Sequence, residues 1–388
     1  MSHEQGPPPE EHVRREHPTR AGTRDITPAV GRRGEPGRYR RAFEGAKVAL
    51  AKPRWGDARW SYLYDKDTRY SSSATTNGEV AAAARRAREG EELPEVQGPM
   101  IRPAVWTWEV PLYFWFGGIA TGSSFVAVAC DAAGDHRSAA IARRVTLIAV
   151  APAAPLLVKD LGRPERFLNM LRIFKPRSPM SMGAWCLSAF SGAAFFACAA
   201  DLLERPRLAR LLGIKTAVLG TYLGSYTGVL LASTAVPVWA RSRLFLGPIF
   251  IATGTATGAA ANRLVLTGLG MPVGHPTHNA LGNVETLAMG AELAMSSFNE
   301  HRLGRLADSL EDGRPGRLFR VAKWMVRAGL GLRLARSRGG PWAHHLASVL
   351  YLLAGLSFRF AWVGAGRTSA LDDEAVARIA RVPPSGSG

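Results

Sequence analysis

The sequence predicts an all-α, polytopic membrane protein with a long polar amino-terminal extension. Three observations predict it. After Trp106 the chain runs through repeated segments of about 20 apolar residues, the length that crosses roughly 30 Å of hydrocarbon at about 1.5 Å rise per residue. Lys and Arg crowd the connections between those segments. The mean hydropathy of −0.03 averages a very polar first hundred residues with a very apolar remainder, so it does not describe a soluble two-domain chain of 388 residues.

Residues 1–45 are rich in Pro, Gly and Arg and lack periodicity, which predicts disorder or an extended arm that wraps a partner. The first twenty residues have no apolar core of the kind a secretory signal carries, so the extension is expected to stay on the side where it is made. Pro53–Tyr70 differs, because Trp55, Trp60, Tyr62, Tyr64 and Tyr70 need a surface to cover; a segment ordered against a soluble partner is favoured over a small local cluster. Ala81–Arg88 reads as one short helix.

Eight spans follow, at 108–130, 141–161, 181–200, 214–236, 244–266, 281–298, 318–336 and 342–363. Pro152 and Pro155 predict a kink in the second, tolerated because neighbouring helices re-satisfy the freed backbone groups. The seventh carries Lys323 and Arg327, at about 2.5–3.5 kcal/mol for a charge at mid-bilayer, and taken alone reads equally as an interfacial amphipathic helix. Gly118 and Gly122 on the first span, and Gly220, Gly224 and Gly228 on the fourth, form small-residue ridges that let helices approach closely.

The formal net charge of +18 invites a nucleic-acid reading, but the cations sit in loops around apolar spans, where they report orientation and anionic-lipid contact; no nucleic-acid partner is expected. The densest loop lies between the second and third spans. Lys159, Arg163, Arg166, Arg172, Lys175 and Arg177 surround the prolines of DLGRPERFLNMLRIFKPRSPMSMGAW, a docking platform on one membrane face. With the amino-terminal extension and the Arg241/Arg243 turn on the same side, the Lys and Arg excess places that side, and the amino terminus, in the cytoplasm. Asp131–Arg144 and Asp201–Lys215 are expected as connections on the other side. Cys130, Cys186 and Cys198 show no iron–sulfur spacing and read as buried structural thiols, so no iron–sulfur cluster is expected. The histidines (His275 and His278 in a Gly/Pro loop, His301 at a helix end, His344 and His345 at the start of the last span) provide no mid-membrane pair, so no haem is expected.

Residues able to carry chemistry are few. Tyr222 and Tyr226 share a face of the fourth span, about 200° from its glycine ridge, so they face elsewhere if the ridge packs on a neighbour. Glu109 and Tyr113 share a face at the start of the first span, where a carboxylate is either functional or an interfacial acid at the helix start. Glu285 and Glu292 lie two turns apart on the sixth, suggesting a hydrated cavity or proton path, or neutralisation by Arg263 or His301. A phenol and a carboxylate facing one apolar slot would suit hydrogen bonding to a quinone carbonyl and proton exchange with it. For Tyr226 alone, a hydrogen bond to a backbone carbonyl is the commoner arrangement.

WTWEVPLYFWFGGIATG on the first span, DLGRPERF and KPRSPMSMGAW around the platform, GSYTGVLLASTAVPVW on the fourth and RFAWVGAGRTSA at the end resemble the polysulfide-reductase type membrane subunits, the NrfD/PsrC-like family. The resemblance covers roughly residues 100–370. It implies eight spans in two four-helix bundles, at 106–240 and 241–370, between the extension (1–105) and a tail (371–388). It implies no permanently bound cofactor, a quinone, expected to be menaquinone, bound in the first bundle, and a neighbouring four-cluster ferredoxin-like subunit that exchanges electrons with a molybdenum or tungsten subunit. Carried over by position, quinone contacts fall on Val110, Tyr113 and Tyr226, with Glu109 and Tyr222 beside them. The family's polar amide and histidine are here Val110 and Tyr113, a departure in which Glu109 substitutes. Asp160, at the start of the basic loop, is the candidate for proton exchange with water, together with Glu285 and Glu292. Arg163, Arg166, Arg172 and Lys175 would grip the partner or anionic lipid.

The expectation is therefore a quinone-reactive membrane anchor of a formate-dehydrogenase-like complex in a bacterial plasma membrane, not catalytic alone. Two rivals remain. A secondary transporter would also use Pro-kinked spans and intramembrane acids, although no convincing inverted repeat is visible. A structural anchor would have no quinone site.

Overall fold

The computed structural model describes residues 101, 103–104, 106–160, 167–334, 340–372 and 375–376, all within a unit that runs from Gly98 to Gly388. Pro53–Tyr70, Ala81–Arg88, Arg163 and Arg166 lie outside the described residues. Among the described residues all regular structure is helical. In chain order the helices are α1 (Glu109–Ala132), α2 (His136–Val150), α3 (Ala153–Asp160), α4 (Phe167–Arg172), α5 (Pro179–Leu202), α6 (Pro206–Ala232), α7 (Pro237–Arg241), α8 (Arg243–Gly268) and α9 (Pro276–Leu303). A 3-10 turn at Gly304–Ala307 leads to α10 (Asp308–Glu311), α11 (Gly313–Leu334) and α12 (Gly340–Ser369).

Five helical stretches are long and apolar enough to cross a membrane: α1, α2 with α3, α5, α8 and α12. Eight were expected. The other three long helices carry their charges inside the helix: Arg207, Arg210 and Lys215 on α6, Glu285, Glu292 and Glu300 on α9, and six Lys or Arg on α11. The kink expected at Pro152 is a turn at Ala151 and Pro152 that separates α2 from α3. The fourth helix begins eight residues before its expected start, because Pro206 at its first turn and the helix-forming RLARLL segment extend it outward. It also ends earlier, at Ala232. Val236 is extended ahead of Pro237, which opens the separate short helix α7.

α1 packs along α2, α6 and α8, while α5 packs on α6 and α2. In the second half α8 contacts α9 and α12, and α11 contacts both α12 and α9. Glycine sets the closest of these approaches. A Cβ added to Gly122 would meet the Gly258 Cα at 2.9 Å, and one on Gly118 would meet the Gly254 Cα at 3.4 Å, so α1 and α8 touch backbone to backbone. Gly220 and Gly224 of α6 face the side chains of Ser124 and Thr121 of α1, and Gly228 the backbone of Leu246 and Gly247 at the start of α8. Polar ties lock the seams: Asn262 donates to Ser123 Oγ (2.8 Å), Trp115 Nε1 to the Leu352 carbonyl (3.0 Å) and Trp239 Nε1 to the Trp362 carbonyl (2.9 Å).

Polarity is inverted relative to a water-soluble core. Phe196, Leu287 and Trp324 are exposed, whereas Arg143, Arg263, Arg359, Glu285, Glu292 and Asn262 are buried. Hydrocarbon outside makes that arrangement favourable, since charges must then be satisfied by the protein itself. Arg143, expected in the connection after the first span, is instead inside α2, buried, where it donates twice to Asp201 (2.6 and 2.7 Å) and once to Asp131 (2.5 Å). It joins α1, α2 and α5 at the end opposite the basic platform, and so does not count as a loop charge.

Two outcomes follow from these contacts. Gly258→Val should lower unfolding stability in detergent by at least about 1–3 kcal/mol through overpacking, while Gly192→Ala, with open space at its Cβ position, should change it by under about 0.5 kcal/mol. Asp135, in the α1–α2 connection, accepts from Ser138 N (3.0 Å) and from Thr277 Oγ1 (2.6 Å). Burial alone would raise its pKa, but these hydrogen bonds win and hold the carboxyl below its usual value of 3.8. Its contribution is therefore present above that value and lost as pH falls through the lower folded value. Thermal unfolding across an acid series should show the native chain losing its advantage over Asp135→Asn only in that range.

Candidate functional site

A slot of about 270 Å³ opens among α1, α3, α4, α5 and α6, at the platform end of the first helices. This is just below the about 300–1,000 Å³ usual for ligand pockets. Each element reaches it for a local reason. α1 starts at Glu109, so Val110, Tyr113 and Phe114 lie within its first two turns and line one wall. Ser178 caps α5 by accepting from Ser181 N (3.4 Å), with Pro179 at the first turn, and this places Gly183, Ala184 and Leu187 on the facing wall. Tyr226 and Leu230 project from α6, while Met170 and Leu171 of α4 roof the slot beneath the basic platform. The lining is mainly apolar, with Asp160, Ser188, Ser191 and the two phenols as its polar groups.

Tyr113 is 3% and Tyr226 5% exposed, yet among the described residues neither hydroxyl has a hydrogen-bond partner. The carbonyl bond that would be commoner for Tyr226 is not formed. Its ring end lies directly on Gly183, where any side chain would occupy the same space. Tyr222 stacks on Tyr226 with centroids 5.7 Å apart, but it is 40% exposed and does not line the slot. The glycine ridge of α6 turns toward α1 at Gly220 and Gly224 and toward α8 at Gly228, which leaves Tyr226 free to face this slot.

Val110, Tyr113, Tyr226 and Asp160 are thus brought together. Glu109 is next to them but turned aside: Thr107 donates to its carboxylate, and Lys159 Nζ lies 3.4 Å from it. Lys159 also stands 4.3 Å above the Trp108 ring, so this acid sits in an ion-paired cluster at the slot's edge. Arg172 and Lys175 are exposed on the platform. Cys130 and Cys198 are buried, Cys186 is half-buried, and all three are free thiols.

Glu285 and Glu292 lie elsewhere, buried among α8, α9, α11 and α12. Arg333 Nη2 (2.5 Å) and Ser348 Oγ (2.8 Å) donate to Glu285, a partner different from Arg263 or His301. One carboxylate oxygen of Glu292, Oε1, has no partner among the described residues. Arg359 donates to the Phe250 carbonyl (2.9 Å) and lies 3.7 Å over that ring. The end groups Glu300 and Lys323 form an ion pair. His278 is not in a loop: it occupies the first turn of α9, fully buried, with its ring 5.7 Å from that of His345.

Sequence reasoning missed Gly183 although it stands in the quoted SMGAW words; a glycine at a helix start opposite a tyrosine is the signal that could have marked it. It also missed Arg333 and Arg359, which read in sequence as misplaced membrane charges.

A family model described as polysulphide reductase, NrfD, matches residues 98–293, just over half of the chain and including every slot-lining residue named above. No match was found among curated proteins. The Gly183–Tyr226 contact makes a structural prediction that does not depend on any ligand. Gly183→Ala should destabilise the chain by about 1–3 kcal/mol, and adding Tyr226→Leu should restore a large part of the loss, a non-additivity readable from thermal unfolding of the single and double variants.

Proposed function

The chain belongs to the polysulphide reductase NrfD family, and on that premise we propose that it is the quinone-reactive membrane subunit of a multi-subunit oxidoreductase. The observation that carries this reading is the slot itself: two buried tyrosines, whose hydroxyls have no partner among the described residues, line an apolar space at one end of the first helices. A phenol hydroxyl in an apolar slot with no protein acceptor gains about 0.5–1.5 kcal/mol net when a ligand oxygen supplies the hydrogen bond. A quinone ring offers two carbonyl oxygens on a flat apolar body, which fits both the lining and the unmet donors.

In this proposal Tyr113 and Tyr226 donate to quinone oxygens and hold the ring, and Val110, Leu187 and Phe114 exclude water around it. Asp160, the nearest carboxylate in the lining, exchanges protons with the aqueous side as the ring is reduced or oxidised. Lys159 neutralises Glu109 at the edge. Arg172 and Lys175 present positive charge beside the slot to a partner or anionic lipid. The partner would be a four-cluster ferredoxin-like subunit of a molybdenum or tungsten enzyme of the formate-dehydrogenase kind, and the quinone menaquinone. The eight long helical stretches would all cross a bacterial plasma membrane as two bundles of four, amino terminus in the cytoplasm. Glu285 and Glu292, each with one oxygen unpartnered among the described residues, would take part in proton movement through the second bundle, Glu285 while held by Arg333 through its other oxygen.

Tyr226→Phe keeps the ring and removes the donor. In the intact complex, quinol–substrate turnover should fall on the order of ten- to a hundred-fold while assembly is unchanged. Unchanged turnover would favour a plain anchor, and solute uptake by liposomes containing this chain alone would favour a transporter.

A further inference from the structure

A second cavity, of about 340 Å³, opens among α8, α9, α11 and α12 at the end away from the platform, and the quinone reading makes no use of it. Its charges do not balance. Arg263 and Arg333 both line it, and among the described residues Glu285 alone answers them with negative charge. Arg263 is 2% exposed and gives its hydrogen bonds to neutral acceptors: His278 Nδ1 (3.3 Å), the His344 carbonyl (2.7 Å) and Ser348 Oγ (3.0 Å).

The histidines add no compensation. His278 accepts from Arg263 through Nδ1, and its Nε2 faces Thr267 Oγ1 at 2.9 Å, so its ring is neutral. His344 Nδ1 faces Arg333 Nη1 at 3.2 Å, so it too accepts rather than carrying a proton there. Arg333 has a side chain only 8% exposed, and its Nε is a buried donor with no partner among the described residues. The amino-terminal turns of α9 and α12 also end at this cavity and add their positive dipole ends. One guanidinium is therefore in excess in a low-dielectric site, a condition that strongly favours capture of an anion.

The mouth indicates where the anion comes from. Asn279 and Asn283 form its polar rim, and beside them Leu287 and Leu334 are 74% and 84% exposed. Leucines so exposed belong against hydrocarbon, so the cavity opens sideways at the membrane's edge rather than only to water. We propose that this cavity binds a phosphate oxyanion, and that it is the headgroup phosphate of an anionic phospholipid whose acyl chains lie along Leu287 and Leu334. Arg263 and Arg333, which line the cavity, hold the phosphate, and the bound lipid fastens α9 to α11 and α12.

The test uses the full chain purified in detergent and native mass spectrometry with three probes: dihexanoyl phosphatidylglycerol, dihexanoyl phosphatidylcholine and inorganic phosphate. The variants are Arg263→Gln, which removes the excess cation, and Asn283→Trp, which blocks the exposed rim and leaves the buried network in place. Phosphatidylglycerol should bind as a single molecule, roughly tenfold more tightly than phosphatidylcholine. Each variant should weaken it by roughly tenfold or more, as expected for losing one charge-assisted contact or the entrance. Inorganic phosphate should compete only weakly. Saturation by inorganic phosphate without lipid binding would assign the site to a soluble anion and overturn the lipid source. Binding of phosphatidylglycerol that both variants leave intact, or no binding of any probe, would overturn the site altogether. Asn283→Trp keeps the result decisive if Arg263→Gln fails to fold.

Discussion

The rest of the structure depends on the direct backbone contact of α1 with α8 at Gly118, Gly122, Gly254 and Gly258. Helices surrounded by lipid gain little from hiding apolar surface, because the tails outside are as apolar as leucine. Close approach has to supply the association through dispersion and short polar ties instead. α1 also takes Gly220 and Gly224 of α6, so one helix is packed closely on two neighbours. Tyr113 owes its position to that packing. Tyr226 owes its own to the turn of α6 that sends glycines one way and tyrosine the other.

A second constraint is that charge inside the bundle must be answered inside it. Arg143 is answered fully, by two carboxylates, and closes the far end of the first helices. Glu285 is answered by Arg333, whereas Arg263 is held by neutral acceptors only. These differences separate charges that serve as clamps from charges left with capacity to bind or transfer. The polar groups of the slot lined by Tyr113 and Tyr226 are of the second kind, as is the cation of the outer cavity. Removing a clamp would loosen helix ends, while removing an unanswered group would change what the protein binds.

Much of this was legible in the sequence, and the reasons differ by element. Span length and apolar content located eight long helical stretches, five of them apolar enough to cross a membrane, with ends off by up to eight residues, most of all where prolines at 206 and 237 reset the boundaries. Small residues four apart announced the ridges on α1 and α6. Gly254 and Gly258 went unnoticed because the intervening TAT words gave no contrast. Tyr113 and Tyr226 were picked out as phenols on helix faces, and Val110 and Asp160 through the family resemblance; all four line one slot. Glu109 did not join them, because its neighbours Thr107 and Lys159 are near in space in a way spacing alone does not reveal. Pairings across helices far apart in sequence, such as Glu285 with Arg333 or Arg143 with Asp201, depend on which helices neighbour one another and were not readable from periodicity.

The central claim is that the space bounded by Tyr113, Gly183 and Tyr226 accommodates the quinone ring. The most direct measurement is photolabelling of the intact complex with an azido-quinone, followed by peptide mapping. Label should appear on peptides spanning the starts of α1 and α5 and the end of α6, and excess unlabelled quinone should suppress it. Label confined to α8–α12, or label on the slot that unlabelled quinone leaves unchanged, would contradict the account.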